Sequence, residues 1–308
     1  MQVIRHLEAS RIRFESPVAT LGNFDGVHIG HQEILARVVH QAAERRGNGV
    51  VITFFPHPAA VLAPERAPAL LMPLRERLGR MREAGVATVV LQHFTRAFAA
   101  LEAAEFVERY LVRRLGVAKV IIGHSVNFGR GRGGNAATLE EAGRRFGFEV
   151  EVVGPVTADG IAVSSSEVRK CLSAGDIRLG ARLLGRTYAV EGRVIVGDRR
   201  GRGFGFPTAN LRPRSPILVP DGVYAVRAEW GAEQRGGVAN VGRKPTFGKG
   251  HLRTLEAHLF DFDGDLYGER LRVSFVERLR GEVRFPSPQA LVEQIGKDAE
   301  RAREVLRI

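Results

Sequence analysis

Two histidines and three glycines near the N-terminus have a spacing that suits phosphate chemistry. They belong to the run Thr20-Leu21-Gly22-Asn23-Phe24-Asp25-Gly26-Val27-His28-Ile29-Gly30-His31, which leads from an apolar stretch into a helical pattern. Glycine lets backbone N–H groups approach a ligand closely, and a helix N-terminus attracts anions. His28 and His31 can point the same way and donate hydrogen bonds to a phosphoryl group in transfer. The combined pattern predicts a nucleotide-phosphate site, whereas an isolated histidine is better explained by packing.

A run of hydroxyl side chains followed by an arginine lies further along the chain. Ser164, Ser165 and Ser166 precede Arg169 at the start of a helical stretch. The hydroxyls can hold phosphate oxygens, and the arginine can neutralise charge that develops on a leaving pyrophosphate. Capping of the helix explains the serines equally well.

The second half of the chain carries a glycine-rich basic loop followed by Pro207-Thr208-Ala209-Asn210. In this loop Gly201, Arg202 and Gly205 are candidates to wrap phosphates. Thr208 and Asn210, if extended, face the same side, because side chains alternate along a strand. Two neighbouring oxygen ligands suit Mg²⁺, so the sequence predicts a magnesium–nucleotide site here. An ordinary turn followed by a strand is the alternative.

The elements that position the first set of residues alternate between strands and helices. Helical spacing over 29–46 and 101–115 predicts amphipathic crossover helices. Short β-branched runs predict strands at 18–21, 50–54, 88–91, 119–122 and 148–153. This alternation is typical of a Rossmann-like α/β domain with a parallel sheet covered by helices.

The pattern changes near Gly185, where turns and alternating strands take over. Candidate strands bounded by Gly, Pro or Asp lie at 190–196, 222–229, 236–241, 256–260 and 271–278, and a helix at 288–306 closes the sequence. Short strands of this kind predict a small antiparallel β-barrel with a C-terminal helix. The expected domains are residues 1–185 and residues 186–308.

Composition and charge limit the classes of function. Hydrophobic residues make up 44% and charged residues 26% of the 308 residues, a balance typical of soluble globular proteins. The net charge of +12 raises the question of nucleic acid, but the arginines are spread through both halves, which favours solvated surface over a nucleic-acid partner. No apolar run is long enough for a membrane helix, and the single cysteine, Cys171, suits a reducing compartment. A cytoplasmic protein acting on small molecules is expected, with its oligomeric state left open.

Longer motifs resemble one known family. The run Gly22 to His28, with His31-Gln32 and Thr53-Phe54-Phe55-Pro56-His57-Pro58, is similar to the prokaryotic bifunctional riboflavin kinase/FMN adenylyltransferase, or FAD synthetase. In the second half, the family's order is followed by Pro207 to Asn210, Gly222 to Ala225, Asn240 to Phe247, Glu256 to Leu259, Asp265 to Gly268 and Leu279 to Glu282.

The resemblance implies roles for individual residues. His28 and His31 would stabilise the α-phosphate of ATP while FMN attacks it, with Asn23, Phe24 and Asp25 in the same nucleotide-binding motif. Phe54, His57 and Phe128 would lie near the flavin, although a histidine between two prolines also fits a rigid turn. In the kinase domain, Thr208 and Asn210 would coordinate Mg²⁺ with ATP. Glu256 would be the general base for the hydroxyl of riboflavin, unless it is an ordinary surface carboxylate.

Two motifs depart from the family's pattern. Many members carry Arg where this chain has Glu167, and Gly-x-Asp-Phe-x-Phe-Gly where it has Gly123 to Gly129 with Ser125 and Val126. Three hypotheses follow: an enzyme that makes FMN and then FAD, a riboflavin kinase with a weakened adenylyltransferase domain, and a flavin-sensing or RNA-binding regulator without turnover.

Overall fold

The chain folds into two compact units. The computed structural model describes residues 1–5, 7–10, 12–197, 205–245 and 251–308. Its internal contacts divide the chain into Met1–Ser164 and Ser165–Ile308. Each unit has its own sheet and is described separately.

The first unit is built on a parallel sheet whose order, among the described residues, is β1-β4-β3-β2-β5-β6. The strands are β1 (Gln2–Arg5), β2 (Val18–Leu21), β3 (Gly49–Phe55), β4 (Thr88–His93), β5 (Lys119–Gly123) and β6 (Glu149–Val153). From β2 the chain first adds β3 and β4 on one side and later β5 and β6 on the other. Ligands of such sheets bind outside the carboxyl ends of the strands where this reversal occurs. The segment after β2 lies at this reversal of strand order.

Helices connect these strands. They are α1 (Ile29–Glu44), α2 (Pro58–Leu62), α3 (Leu74–Glu83), α4 (Arg96–Ala99), α5 (Ala103–Phe106), which runs into a π-helical segment (Val107–Leu115), and α6 (Ala136–Phe146). A short hairpin of β7 (Thr157–Ala158) and β8 (Ile161–Ala162) follows β6. The predicted α/β class and its five strands are confirmed. Strand β1, the β7–β8 hairpin and helices α2, α3, α4 and α6 were not predicted.

The second unit begins with two helices and closes into a barrel. Helices α7 (Ser165–Ala174) and α8 (Ile177–Leu184) precede β9 (Ala189–Ile195), β10 (Ala209–Pro213), β11 (Gly222–Trp230), β12 (Glu233–Pro245), β13 (His251–Leu259), β14 (Arg270–Arg280) and α9 (Pro288–Leu306). In the described part of the chain the antiparallel barrel has the order β10-β13-β12-β11-β14-β9, and β9 pairs back with β10. The predicted barrel and C-terminal helix are confirmed.

The division between the two compact units falls after Ser164, before the domain boundary near Gly185 that the change in sequence pattern predicts. Helix α8 lies against β14, with an ion pair between Arg178 and Glu277. An added Cβ at Gly175 would come within 3.3 Å of atoms of Arg278 and Pro220. The helices of 165–184 therefore pack with the barrel. The boundary at Gly185 remains a prediction about where independently folding domains would divide.

Candidate active sites

The segment after β2 is a tight loop with a constrained backbone. The N–H of Gly22 donates to the Ile52 carbonyl at 3.1 Å, and the N–H of Val27 donates to the Phe24 carbonyl at 3.2 Å. Phe24 and Val27 have φ of 51° and 39°, and both are 2% exposed. Non-glycine residues hold such a conformation only where their surroundings enforce it. Burial of these two side chains supplies that constraint.

Asp25 anchors this loop. Its carboxylate is 3% exposed and accepts from the Leu71 backbone N–H at 3.1 and 3.2 Å. The structure thus gives this predicted nucleotide-binding residue a role in holding the loop against the segment before α3.

His28 and His31 form a stacked pair at the start of α1. The imidazole Nδ1 of His28 accepts the His31 backbone N–H at 3.3 Å, so His28 caps the helix. The two rings lie 3.6 Å apart between centroids and 17° from parallel. An added Cβ at Gly30 would lie 3.3 Å from the His28 ring, which explains the glycine between them. Because Nδ1 of His28 is an acceptor, a neutral ring carries its proton on Nε2, where it can donate to a phosphate.

The charge state of His31 is controlled by its surroundings. Burial, followed by the electrostatic effects of His28 and Arg77, holds the pKa of His31 well below its usual value of 6.5. Its Nδ1 is buried and has no hydrogen-bond partner among the described residues. His31 is therefore neutral at pH 7, and its unpaired nitrogen fits a polar ligand atom.

The sequence did not single out Arg77, which lies beside the histidine pair. This arginine on α3 is 6% exposed and donates to the Asn23 carbonyl at 2.6 Å and to the Phe54 carbonyl at 3.1 Å. Because other arginines flank Arg77 in the sequence, its residue type alone did not distinguish it from them. Its position could have identified it, because a residue four places before the fully buried Met81 lies on the same face of the helix.

The predicted flavin-binding aromatic residues lie in one apolar cluster. Phe54 is 9% exposed and its ring lies 5.7 Å from that of Phe94. Phe128 is 8% exposed and lies 5.6 Å from Phe106. Both belong to the same core cluster. Packing accounts for their present positions, and a flavin contact stays a prediction.

His57 has a local structural role. Its Nδ1 accepts the Ala59 backbone N–H at 3.2 Å and so caps α2. The rigid-turn interpretation fits this arrangement, and binding of a flavin by His57 stays a prediction.

The serine-rich motif falls at the division between the two units. Ser164 ends the first unit, while Ser165, Ser166 and Arg169 lie in the first turns of α7. Glu167, at one of the positions that depart from the family, pairs with Lys170 at 3.1 Å. The predicted phosphate contacts of this motif stay predictions.

In the barrel, strand register aligns three polar residues of the kinase motifs. Asn210 on β10 lies opposite Glu256 on β13, and Glu256 lies opposite Asn240 on β12. Directly opposed residues project from the same face of a sheet. Five of their six strand neighbours are at most 3% exposed and fill the barrel core, namely Leu211, Ala239, Val241, Leu255 and Ala257. Asn210, Glu256 and Asn240 therefore form a polar row on the outer face.

Two glycines leave room around this row. An added Cβ at Gly197 would overlap the side-chain amide of Asn210, so the backbone there lies directly against that amide. An added Cβ at Gly242 would lie 2.7 Å from Oε1 of Glu282 and 3.3 Å from Nδ2 of Asn240. The close approach of backbone and polar side chains makes a cradle for a small, oxygen-rich ligand.

The segment leading to Thr208 is held by His258. Its Nδ1 lies 2.9 Å from the Pro207 carbonyl, and its ring lies 5.3 Å from that of Phe206. Thr208 is half-buried and Gly205 exposed, with φ of 81° at Gly205. The predicted phosphate-binding residues Gly201 and Arg202 lie outside the described residues.

The chain has a two-part transferase architecture, with a parallel α/β unit followed by an antiparallel barrel. The family model for FAD synthetase matches residues 11–167, and the model for riboflavin kinase matches residues 184–306. The chain belongs to the bifunctional riboflavin kinase/FMN adenylyltransferase family, as the sequence motifs indicated.

Relatives that carry this family name match almost the whole chain. The protein of Haemophilus influenzae is 40% identical over 304 residues and covers 98% of both chains. That of Pseudomonas fluorescens is 43% identical over 306 residues, covering 98% of this chain and 97% of its own. The Escherichia coli K12 protein is 39% identical over 306 residues, covering 99% and 97%.

A solved structure has the same overall fold. It is a crystal structure described as a macrolide-efflux protein from Streptococcus pneumoniae, with a TM-score of 0.88 and 30% identity over 98% of both chains. In the described part of the present chain, every helix is too short or too polar to cross a membrane.

Proposed function

We propose that this chain makes FAD in two ATP-dependent steps, one in each half. Riboflavin and ATP give FMN and ADP in the C-terminal half. FMN and ATP then give FAD and pyrophosphate in the N-terminal half. The observation that carries the proposal is the pairing of Asn210 with Glu256 on one face of the barrel, in a chain that also stacks His28 on His31.

In the kinase step, Glu256 is the general base. Its carboxylate takes the proton of the ribityl 5′-hydroxyl, whose oxygen bonds to the γ-phosphorus of ATP while the bond to the β-phosphate oxygen breaks. Exposure on the outer face lets a substrate reach this side chain, which an inward position would prevent.

Thr208 and Asn210 are proposed to hold Mg²⁺ with the ATP phosphates. Their oxygens are the hard ligands that Mg²⁺ prefers, and the backbone at Gly197 encloses Asn210 closely. No cluster of three or more His, Cys, Asp or Glu suited to a metal occurs among the described residues. That finding fits an ion bound through one or two protein oxygens and the substrate phosphates. When bound, the ion neutralises charge on the transferring phosphoryl group.

In the adenylyl-transfer step, the histidine pair is proposed to bind the α-phosphate of ATP. A phosphate oxygen of FMN attacks the α-phosphorus, and pyrophosphate leaves with the electrons of the broken bond. No covalent enzyme intermediate is involved. His28 can donate from Nε2, and His31 brings a neutral ring to the same place, so both act by hydrogen bonding to developing charge.

Two other functions compete with this proposal. A riboflavin kinase with a weakened first unit is favoured by Ser125, Val126 and Glu167, and a flavin- or RNA-binding regulator is favoured by the net charge of +12.

The single free cysteine, Cys171, is buried and supports a cytoplasmic location.

One assay separates the three functions. Purified protein is incubated with riboflavin, ATP and Mg²⁺, and FMN and FAD are separated by chromatography. FAD is the expected product, and chelation of Mg²⁺ with EDTA is expected to stop its formation. FMN without FAD identifies the monofunctional kinase. Neither product, with tight flavin or RNA binding retained, identifies the regulator.

A further inference from the structure

Arg77 connects two segments that meet at the carboxyl ends of the central strands. Nη1 donates to the Asn23 carbonyl at 2.6 Å, and Nη2 donates to the Phe54 carbonyl at 3.1 Å. Asn23 belongs to the loop that leads to the histidine pair, and Phe54 is near the end of β3. A single guanidinium therefore fixes the separation of the loop and the neighbouring strand.

Arg77 is buried although it carries a charge. The side chain is 6% exposed, and its Nε has no hydrogen-bond partner among the described residues. Burial lowers the pKa of Arg77, and the nearby charge of Asp25 works against that shift. A buried cation with an unsatisfied donor destabilises a fold, so its presence here points to a role in the site.

We infer that Arg77 is a positioning residue for adenylyl transfer, holding the loop at Asn23 against β3 so that His28 and His31 stand correctly toward the nucleotide. This inference rests on the proposed FMN adenylyltransferase activity. It assigns no contact between Arg77 and the substrate.

The shape of the arginine side chain matters as well as its charge. Two backbone carbonyls are bound by two different nitrogens of one planar group, and a lysine ammonium offers only a single nitrogen. The electrostatic effects of His28 and Arg77 both lower the pKa of His31, so Arg77 acts at the histidine pair. The negative charge of Asp25 acts in turn on Arg77.

The test compares Arg77→Gln and Arg77→Lys with the wild type, using Arg82→Gln on the exposed side of α3 as the matched control. FAD formation from supplied FMN is measured as kcat and KM, and FMN formation from riboflavin is the internal control. We expect Arg77→Gln to lower kcat for FAD by about 100-fold, the loss that a displacement of about 1 Å can cause. KM and FMN formation stay near wild type, Arg77→Lys recovers part of the loss, and Arg82→Gln changes nothing.

Titration of His31 reports whether the charge of Arg77 acts at the histidine pair in the folded protein. Histidine ring signals are followed by NMR against pH, with His31 assigned from the His31→Asn variant. The midpoint for His31 is expected to rise in Arg77→Gln, because a nearby positive charge is lost, and to rise less in Arg77→Lys.

Two results would overturn the inference. The first is wild-type kcat for FAD in Arg77→Gln. The second is a loss of FAD formation that is no larger than the loss of folded protein. Absence of FAD from the wild-type enzyme would instead contradict the proposed function itself.

Discussion

At the scale of residues, the spacing of each motif has a steric cause. Gly30 separates His28 from His31 because an added Cβ would contact the His28 ring at 3.3 Å. In the barrel, Glu256 lies between Leu255 and Ala257, which are fully buried, and alternation turns its carboxylate outward. Each side chain proposed to act in catalysis is thus positioned by neighbours that have no proposed catalytic role.

Replacement of the proposed base should separate the two activities. Glu256→Gln is expected to lower FMN formation from riboflavin by at least about 100-fold, the usual contribution of a general base. FAD formation from supplied FMN should stay at the wild-type rate. Chromatography of both products measures this, with Glu233→Gln, an exposed carboxylate on β12, as the control. Equal loss of both activities would contradict the division of labour between the two halves.

Gly197 offers a second test of the kinase site. An alanine there would overlap the Asn210 amide, so Gly197→Ala is expected to displace it and lower FMN formation by about tenfold or more. The control is Gly154→Ala, where an added Cβ meets no atom within 4 Å. Steady-state kinetics with varied Mg²⁺ measures the effect. Unchanged kcat and unchanged Mg²⁺ dependence in Gly197→Ala would show that Asn210 does not belong to the kinase site.

At the scale of elements, helices that carry no catalytic residue still determine the sites. Helix α3 delivers Arg77 to the loop after β2, and α9 covers part of the barrel. Asp298 on α9 is 5% exposed and accepts from the Arg280 guanidinium at 2.7 to 3.0 Å and from Gln294 at 2.9 Å. Arg280 ends β14, so this group of contacts ties the last helix to the barrel.

Loss of that carboxylate should destabilise the second unit. Asp298→Ala leaves the Arg280 cation without its partner, and we expect the free energy of unfolding to fall by roughly 3 kcal/mol. This lies at the low end for a buried pair, because the Arg280 side chain is 21% exposed. Urea unfolding followed by fluorescence of the single tryptophan, Trp230, reports on the barrel. The control is exposed Glu300→Ala, and equal stability of the two variants would show that the pair contributes little.

At the scale of the whole molecule, two compact units with separate cores carry the two proposed activities. The product of the kinase step is the substrate of the adenylyl-transfer step, and FMN is small enough to diffuse between separate chains. Neither activity therefore requires that both sites be intact in the same chain.

A mixture of variants tests this independence. Glu256→Gln alone and His31→Asn alone are each expected to make little FAD from riboflavin. An equimolar mixture should make FAD after a lag in which FMN accumulates, because one chain supplies FMN to the other. Chromatography over time measures both products. A mixture that makes FMN but no FAD would contradict exchange of the intermediate between chains.

Local sequence by itself determined the family, the fold class and the elements that carry the motifs. Strand and helix periodicity and the residues around a glycine turn are contiguous in sequence, so the start of α1 at Ile29 and most barrel strands were predicted. Only the tertiary structure revealed the contacts of Arg77 and the row formed by Asn210, Glu256 and Asn240. It likewise placed Phe54 and Phe128 in a common core. These contacts depend on pairing between segments that are distant in sequence. Strand register and helix packing bring such residues together, and the local sequence around each residue does not indicate its partner.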